Sequence, residues 1–128
     1  MSKVVVITGG GGRIAYSLVP LICEGKVFGA GVRIRVRLFD LPLMESKLLG
    51  IKMEIEDCGF SLVDEVISTS DPAVALEGAD VAVLLGGAPR GPGMERSEMI
   101  ASNANGIVQQ VHTVSYCTHT QLIILILI

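Results

Sequence analysis

The sequence predicts an α/β domain built on a doubly wound parallel sheet, and three observations carry that reading. Short apolar runs rich in β-branched residues alternate with helical apolar periodicities along the chain. The first run, Val4–Ile7, breaks sharply at Gly9–Gly12 before a helical pattern begins. A strand, a glycine turn, a helix and a second strand in succession demand a right-handed crossover and parallel pairing. At 128 residues the chain makes one ordinary domain.

Lys3–Ile7 reads as a strand buried on both faces. Arg13–Glu24 then sets Ala15, Leu18, Val19 and Ile22 on one helical face, with Gly25 as the stop. Pro20 forfeits one backbone hydrogen bond inside that helix, so a bend or looser turn is expected near Tyr16. Arg33–Phe39 is the second strand, in which Arg33, Arg35 and Arg37 alternate with apolar residues and form one exposed face. Pro42 starts a second helix carrying Met44, Leu48, Ile51 and Ile55, which ends near Gly59.

Glu65–Ser68 is a short third strand, Pro72–Glu77 a short helix, and Asp80–Leu85 the fourth strand. The chain leaves it through Gly86–Gly93, a loop in which six of eight residues are Gly or Pro. Ile100, Ala104, Ile107, Val111 and Val114 then predict a long helix, and Leu122–Ile128 a fifth strand.

Composition narrows the function classes. Half of the residues are hydrophobic and 18% are charged, against about 25% charged in average domains. Either a membrane span or a covering protein surface must absorb the apolar excess. The longest apolar run, Leu122–Ile128, has seven residues, whereas a spanning helix needs about 20. The expectation is therefore a fragment or half of a larger fold, with no membrane partner. A net charge of −3 without a clustered basic face argues against nucleic acid. Cys23, Cys58 and Cys117 are odd in number and widely spaced, which fits reduced thiols, and no secretory signal precedes the first strand. The expected compartment is the cytoplasm.

Gly9, Gly10, Gly11 and Gly12, followed by Arg13, Ile14 and Ala15, lie where a strand gives way to a helix. Glycines there let the backbone approach a pyrophosphate, and the helix N-terminus favours its charge, so this turn is a candidate dinucleotide site. Asp40 ends the second strand, where a carboxylate can accept both ribose hydroxyls and repel a 2′-phosphate, favouring NAD over NADP. Its competing reading is a helix cap before Pro42. Arg90 lies in the Gly/Pro loop and Arg96 at the start of the long helix, placed to bind carboxylates if the loop acts as a lid. Arg96, Asn103 and Gln110 recur every seven residues and share one helix face. His112, Cys117 and His119 have ligand chemistry without a zinc spacing, so no metal site is assigned.

These segments, with Leu38-Phe39-Asp40, Met53–Cys58 and Ala88–Arg96, resemble the malate dehydrogenases of the cytosolic type over residues 4–110. The resemblance implies a Rossmann-type NAD-binding domain over residues 1–128, incomplete at its C-terminus and truncated before the substrate domain. Residues 111–128 form a divergent helix end and terminal strand. It implies that Gly9–Ala15 hold the NAD pyrophosphate, Asp40 the adenosine ribose, and that Asn103 and Gln110 make further cofactor contacts. Arg90 would recognise the distal carboxylate of malate or oxaloacetate, and Arg96 would polarise the reacting C2 oxygen.

No catalytic residue is assigned, because the proton-exchanging His-Asp pair of that family has no counterpart here and the chain alone is expected to be inactive. The resemblance further implies a place in malate metabolism and the tricarboxylic acid cycle, and a homodimer for the full-length protein. Two other readings compete. An extended short-chain dehydrogenase or epimerase fragment nearly matches the Thr8–Ala15 turn, but neither Tyr16 nor Tyr116 is followed four residues later by Lys. A non-catalytic nucleotide-binding or interaction module would account for the apolar tail.

Overall fold

The computed structural model describes residues 2–88, 91–117 and 123–126, with backbone alone beyond residue 113. Ten elements follow in order: strand β1 (Lys3–Thr8), helix α1 (Arg13–Cys23), β2 (Ile34–Phe39), a 3-10 turn (Pro42–Met44), α2 (Glu45–Cys58), β3 (Val63–Thr69), α3 (Pro72–Leu76), β4 (Val81–Leu84), α4 (Arg96–Cys117) and β5 (Ile123–Ile126). The strands form one sheet in the order β3-β2-β1-β4-β5. Every pairing is parallel.

That order steps outward from β1 to β3 and then returns across the sheet to β4, so the winding reverses between β1 and β4. Helices cover both faces. Alternate residues of β1 separate the two cores: Val5 and Ile7 pack with Ala15, Val19 and Ile22 of α1 and with Leu48, Ile51 and Ile55 of α2. Val4 and Val6 pack on the other face with Ala75 and Leu76 of α3. Next to them Ala82 and Leu84 of β4 meet Ile107 and Val111 of α4. The predicted doubly wound parallel sheet is the observed one.

Local differences from the sequence reading have physical causes. α1 holds Pro20 inside it, as the sequence reading had it, and ends at Cys23. The chain after Pro42 first makes a 3-10 turn, and α2 begins at Glu45. Leu41, not Asp40, is the N-cap of that turn, and no side chain caps it, so the helix-cap reading of Asp40 is corrected. Arg37 is half-buried, which corrects the picture of a fully exposed arginine face. Its Nη1 donates to the carbonyls of Val74 and Ala75 at 3.2 Å each, and to that of Glu77, closing the C-terminal end of α3.

The apolar stripe of α4 is buried only in part: Ile107 is 8% exposed, whereas Ile100 is 41% exposed and Ala104 is exposed. Among the described side chains of α4, Ile107 and Val111 rest on the sheet. Among the described residues no helix is long and apolar enough to cross a membrane. Arg90, the side chains of Val114 and Cys117, His119 and parts of the 122–128 strand lie outside the described residues.

Candidate functional site

Open α/β sheets bind ligands at the carboxyl ends of their strands, where the winding reverses. Here that point lies between β1 and β4. Thr8 closes β1 and is 1% exposed. Its hydroxyl accepts the N–H groups of Leu85 and Gly86, each at 3.2 Å, and so binds the exits of the two strands together. Sequence reading gave Thr8 no such role, because the partners of a hydroxyl at a strand end depend on which strand lies beside it.

The turn that follows needs its glycines for different reasons. Gly9 has φ 65°, and a Cβ on it would stand 2.8 Å from Gly86 Cα. Gly10 donates its N–H to the Phe39 carbonyl at 2.9 Å. A Cβ on Gly10 would press on Leu38, Leu48 and Phe39 at 3.1–3.2 Å. Gly12 donates to the Gly9 carbonyl at 2.9 Å and stands as the N-cap of α1, with no side-chain hydrogen bond there. The first N–H groups of the helix, from Arg13 to Ala15, have no intrahelical acceptor and carry the positive end of the helix dipole. Arg13 and Ile14 are exposed, and Ala15 is buried beneath them.

Asp40 is brought to this turn by the parallel register of β1 and β2, which pairs Thr8 with Phe39. Its Oδ2 accepts the Gly11 N–H at 3.0 Å and its Oδ1 accepts the Leu41 N–H at 2.8 Å. A carboxylate has about four lone-pair positions. Two therefore remain for a ligand, and the side chain is only half-buried. The site thus combines a glycine turn at the open end of α1 with an oriented carboxylate one strand away. An adenosine dinucleotide fits this donor and acceptor set, pyrophosphate on the turn and ribose hydroxyls on Asp40.

On the β4 side, Asn103 reaches back from α4 and its Oδ1 accepts the Ala88 N–H at 2.9 Å. Gln110 is half-buried two helical turns later, and its Oε1 has no hydrogen-bond partner among the described residues. Arg96 opens α4 and is exposed. The glycine turn and Asp40 are thus brought together. Asn103 stands at the exit of β4, and Arg90 lies outside the described residues.

A family model described as the lactate/malate dehydrogenase NAD-binding domain matches residues 2–127. A malate dehydrogenase of Chlamydia caviae is 41% identical over 113 residues, which are 88% of this chain and 34% of the relative. A crystal structure of malate dehydrogenase from Naegleria fowleri superposes with a TM-score of 0.92 at 35% identity, covering 98% of this chain and 39% of that one. The Trichomonas vaginalis lactate dehydrogenase in complex with NADH and oxamate gives a TM-score of 0.89 at 29% identity, with coverages of 98% and 38%. The chain spans about a third of the length of the curated relatives it matches. Neither the short-chain dehydrogenase nor the interaction-module reading is favoured by these matches. This chain belongs to the lactate/malate dehydrogenase family, within its NAD-binding domain.

Proposed function

We propose that the chain is the cofactor-binding portion of an NAD-dependent malate dehydrogenase that interconverts malate and oxaloacetate. The observation that carries this reading is the Asp40 carboxylate, fixed by the Gly11 and Leu41 N–H groups beside the open N-terminus of α1. When bound, NAD supplies the hydride acceptor, the C4 carbon of the nicotinamide. The Gly9–Gly12 turn and the N–H groups of Arg13, Ile14 and Ala15 receive the pyrophosphate. Asp40 accepts the ribose hydroxyls and disfavours a 2′-phosphate by charge repulsion. Asn103 and Gln110 border the cofactor from α4.

Arg90 takes the distal carboxylate of the substrate as a bidentate partner, so a monocarboxylate leaves its charge unpaired. Arg96 lies against the C2 oxygen and stabilises the charge that develops there. Supporting the choice of a dicarboxylate are the malate dehydrogenase relatives and the Pro89-Arg90 to Met94-Glu95-Arg96 loop. The reading places the full-length protein as a cytoplasmic homodimer in malate metabolism and the tricarboxylic acid cycle, without nucleic-acid or membrane partners.

Calorimetric titration of NAD into the chain and into an Asp40→Ala variant tests the proposal. Saturable binding weakened about 10–100-fold by the substitution is expected, the loss that hydrogen bonds to a charged group carry. No binding by a folded chain overturns it.

A further inference from the structure

We infer that Met44 is a redox-sensitive modification site: oxidation of its thioether to the sulfoxide releases the hydrogen bond between Gly11 and Asp40 and lowers the affinity of the site for its dinucleotide. Gly11 is buried although it has no side chain, and Met44 lies over it. The position that a Cβ on Gly11 would take is 2.7 Å from Met44 Cε and 3.7 Å from Met44 Cβ, with Asp40 Oδ2 at 3.1 Å from the same point. The sulfur is one bond away from that methyl. A thioether therefore covers the residue whose N–H is held by the Asp40 carboxylate.

The backbone ties the same residues together. Leu41 donates its N–H to Asp40 Oδ1, and its carbonyl accepts the Met44 N–H, each at 2.8 Å. The 3-10 turn ends at Met44 and α2 begins after it. Met44 is thus fixed at its backbone, while its methyl end can swing. It is half-buried between exposed Leu43 and exposed Glu45, within reach of a small peroxide.

Oxidation changes what this side chain can do. A hydroperoxide gives its terminal oxygen to the sulfur lone pair: the O–O bond breaks, the S–O bond forms, the sulfur loses two electrons, and water or an alcohol leaves. A flexible apolar group becomes a polar one. Its new oxygen only accepts hydrogen bonds, and it stands beside a carboxylate that also only accepts them. Gly11 has a single N–H, already given to Asp40 Oδ2. The sulfoxide either competes for that donor or turns out into water, because an unpaired polar group is costly to bury. Both movements uncover Gly11 and loosen Asp40. The loosening stands apart from the proposed function; only the loss of dinucleotide affinity rests on it.

The test treats wild type, Met44→Leu and Met53→Leu with hydrogen peroxide, locates the added oxygen by peptide mass mapping, and follows Gly11 amide exchange by NMR without ligand. Met53 is 55% exposed on α2 and serves as the control methionine. In wild type and Met53→Leu, oxidation is expected to speed Gly11 exchange about tenfold, the scale of one lost hydrogen bond. Methionine sulfoxide reductases then restore the original rate. Met44→Leu, which keeps Cys58 and Met53, is expected to exchange at one rate before and after peroxide, and Met44→Ile takes its place if it does not fold. NADH affinity should fall about tenfold on oxidation of wild type and recover with the reductases. The inference is overturned if Met44 resists peroxide while Met53 is oxidised, if Gly11 exchange is unchanged by oxidation, if the Met44 variant responds as wild type does, or if NADH binds equally well before and after. No NADH binding by untreated wild type counts against the proposed function, and the exchange rates still decide the oxidation step.

Discussion

Gly9 and Gly86 meet backbone to backbone across the ends of β1 and β4, with the position of a Gly9 Cβ only 2.8 Å from both the nitrogen and the Cα of Gly86. Neither backbone can retreat, because Thr8 ties the Gly86 N–H to β1. The closeness of the two strand exits sets the floor beneath the glycine turn.

Gly9→Ala is therefore expected to destabilise the chain by roughly 1–3 kcal/mol, combining a clash with strain at a positive φ. Gly11→Ala is the informative contrast. Its Cβ would meet Met44 Cε at 2.7 Å, the far end of a flexible side chain, and Asp40 Oδ2 at 3.1 Å. Met44 can swing aside, so Gly11→Ala costs less stability than Gly9→Ala but weakens NAD binding by crowding the carboxylate. Urea denaturation of both variants checks the order; equal losses would contradict it.

Arg37→Met is expected to cost roughly 1–3 kcal/mol, because the guanidinium supplies the carbonyls at the C-terminal end of α3. The damage is local. Amide exchange should rise first within Pro72–Leu76, which is only five residues long and draws little stability from its own hydrogen bonds. Uniform acceleration over the whole sheet would show that Arg37 acts otherwise.

The fate of Arg37 shows where sequence reading stops. Alternation placed it correctly with Arg35 on one side of β2, since a strand's period of two is local. Which helix lies over that side depends on the return of the chain from β3 to β4, a tertiary fact. Asp40 was legible because the end of a strand beside a glycine turn defines its surroundings almost completely. Asn103 was legible as a face-mate of Arg96 and Gln110, but its bond to Ala88 depends on how α4 meets the exit of β4. The α4 stripe named the long helix correctly, but periodicity names an apolar side without saying how much of the helix finds a sheet to cover.

Cys23 and Cys58 should differ sharply towards thiol reagents. Cys23 is 1% exposed, and burial pushes its thiol up to about 11. Cys58 is exposed at the end of α2. The thiolate is the reacting species. Iodoacetamide at about pH 8 is therefore expected to label Cys58 in the folded chain and to spare Cys23 until denaturant is added, as read by peptide mass mapping. Equal labelling of both under native conditions would contradict the burial of Cys23.

Asp64 supplies a pH dependence whose sign can be worked out. The Arg33 guanidinium and the Ser2 hydroxyl donate to its carboxylate and hold it below its usual value of 3.8. Between that usual value and the lower folded one, the unfolded chain binds the proton and the native chain does not, so stability rises with pH there. The contribution is complete above the unfolded value and is lost as pH falls through the folded one. Asp64→Asn cannot titrate. The stability difference between wild type and Asp64→Asn, from urea midpoints, is thus expected to be constant well above the usual value of 3.8 and to shrink as pH falls below it. The effect is small, because the pair is exposed and screened by salt. Its removal by about 1 M salt would follow from that exposure, whereas a difference that stays constant through the acid range would show that the ion pair does not hold Asp64 in solution.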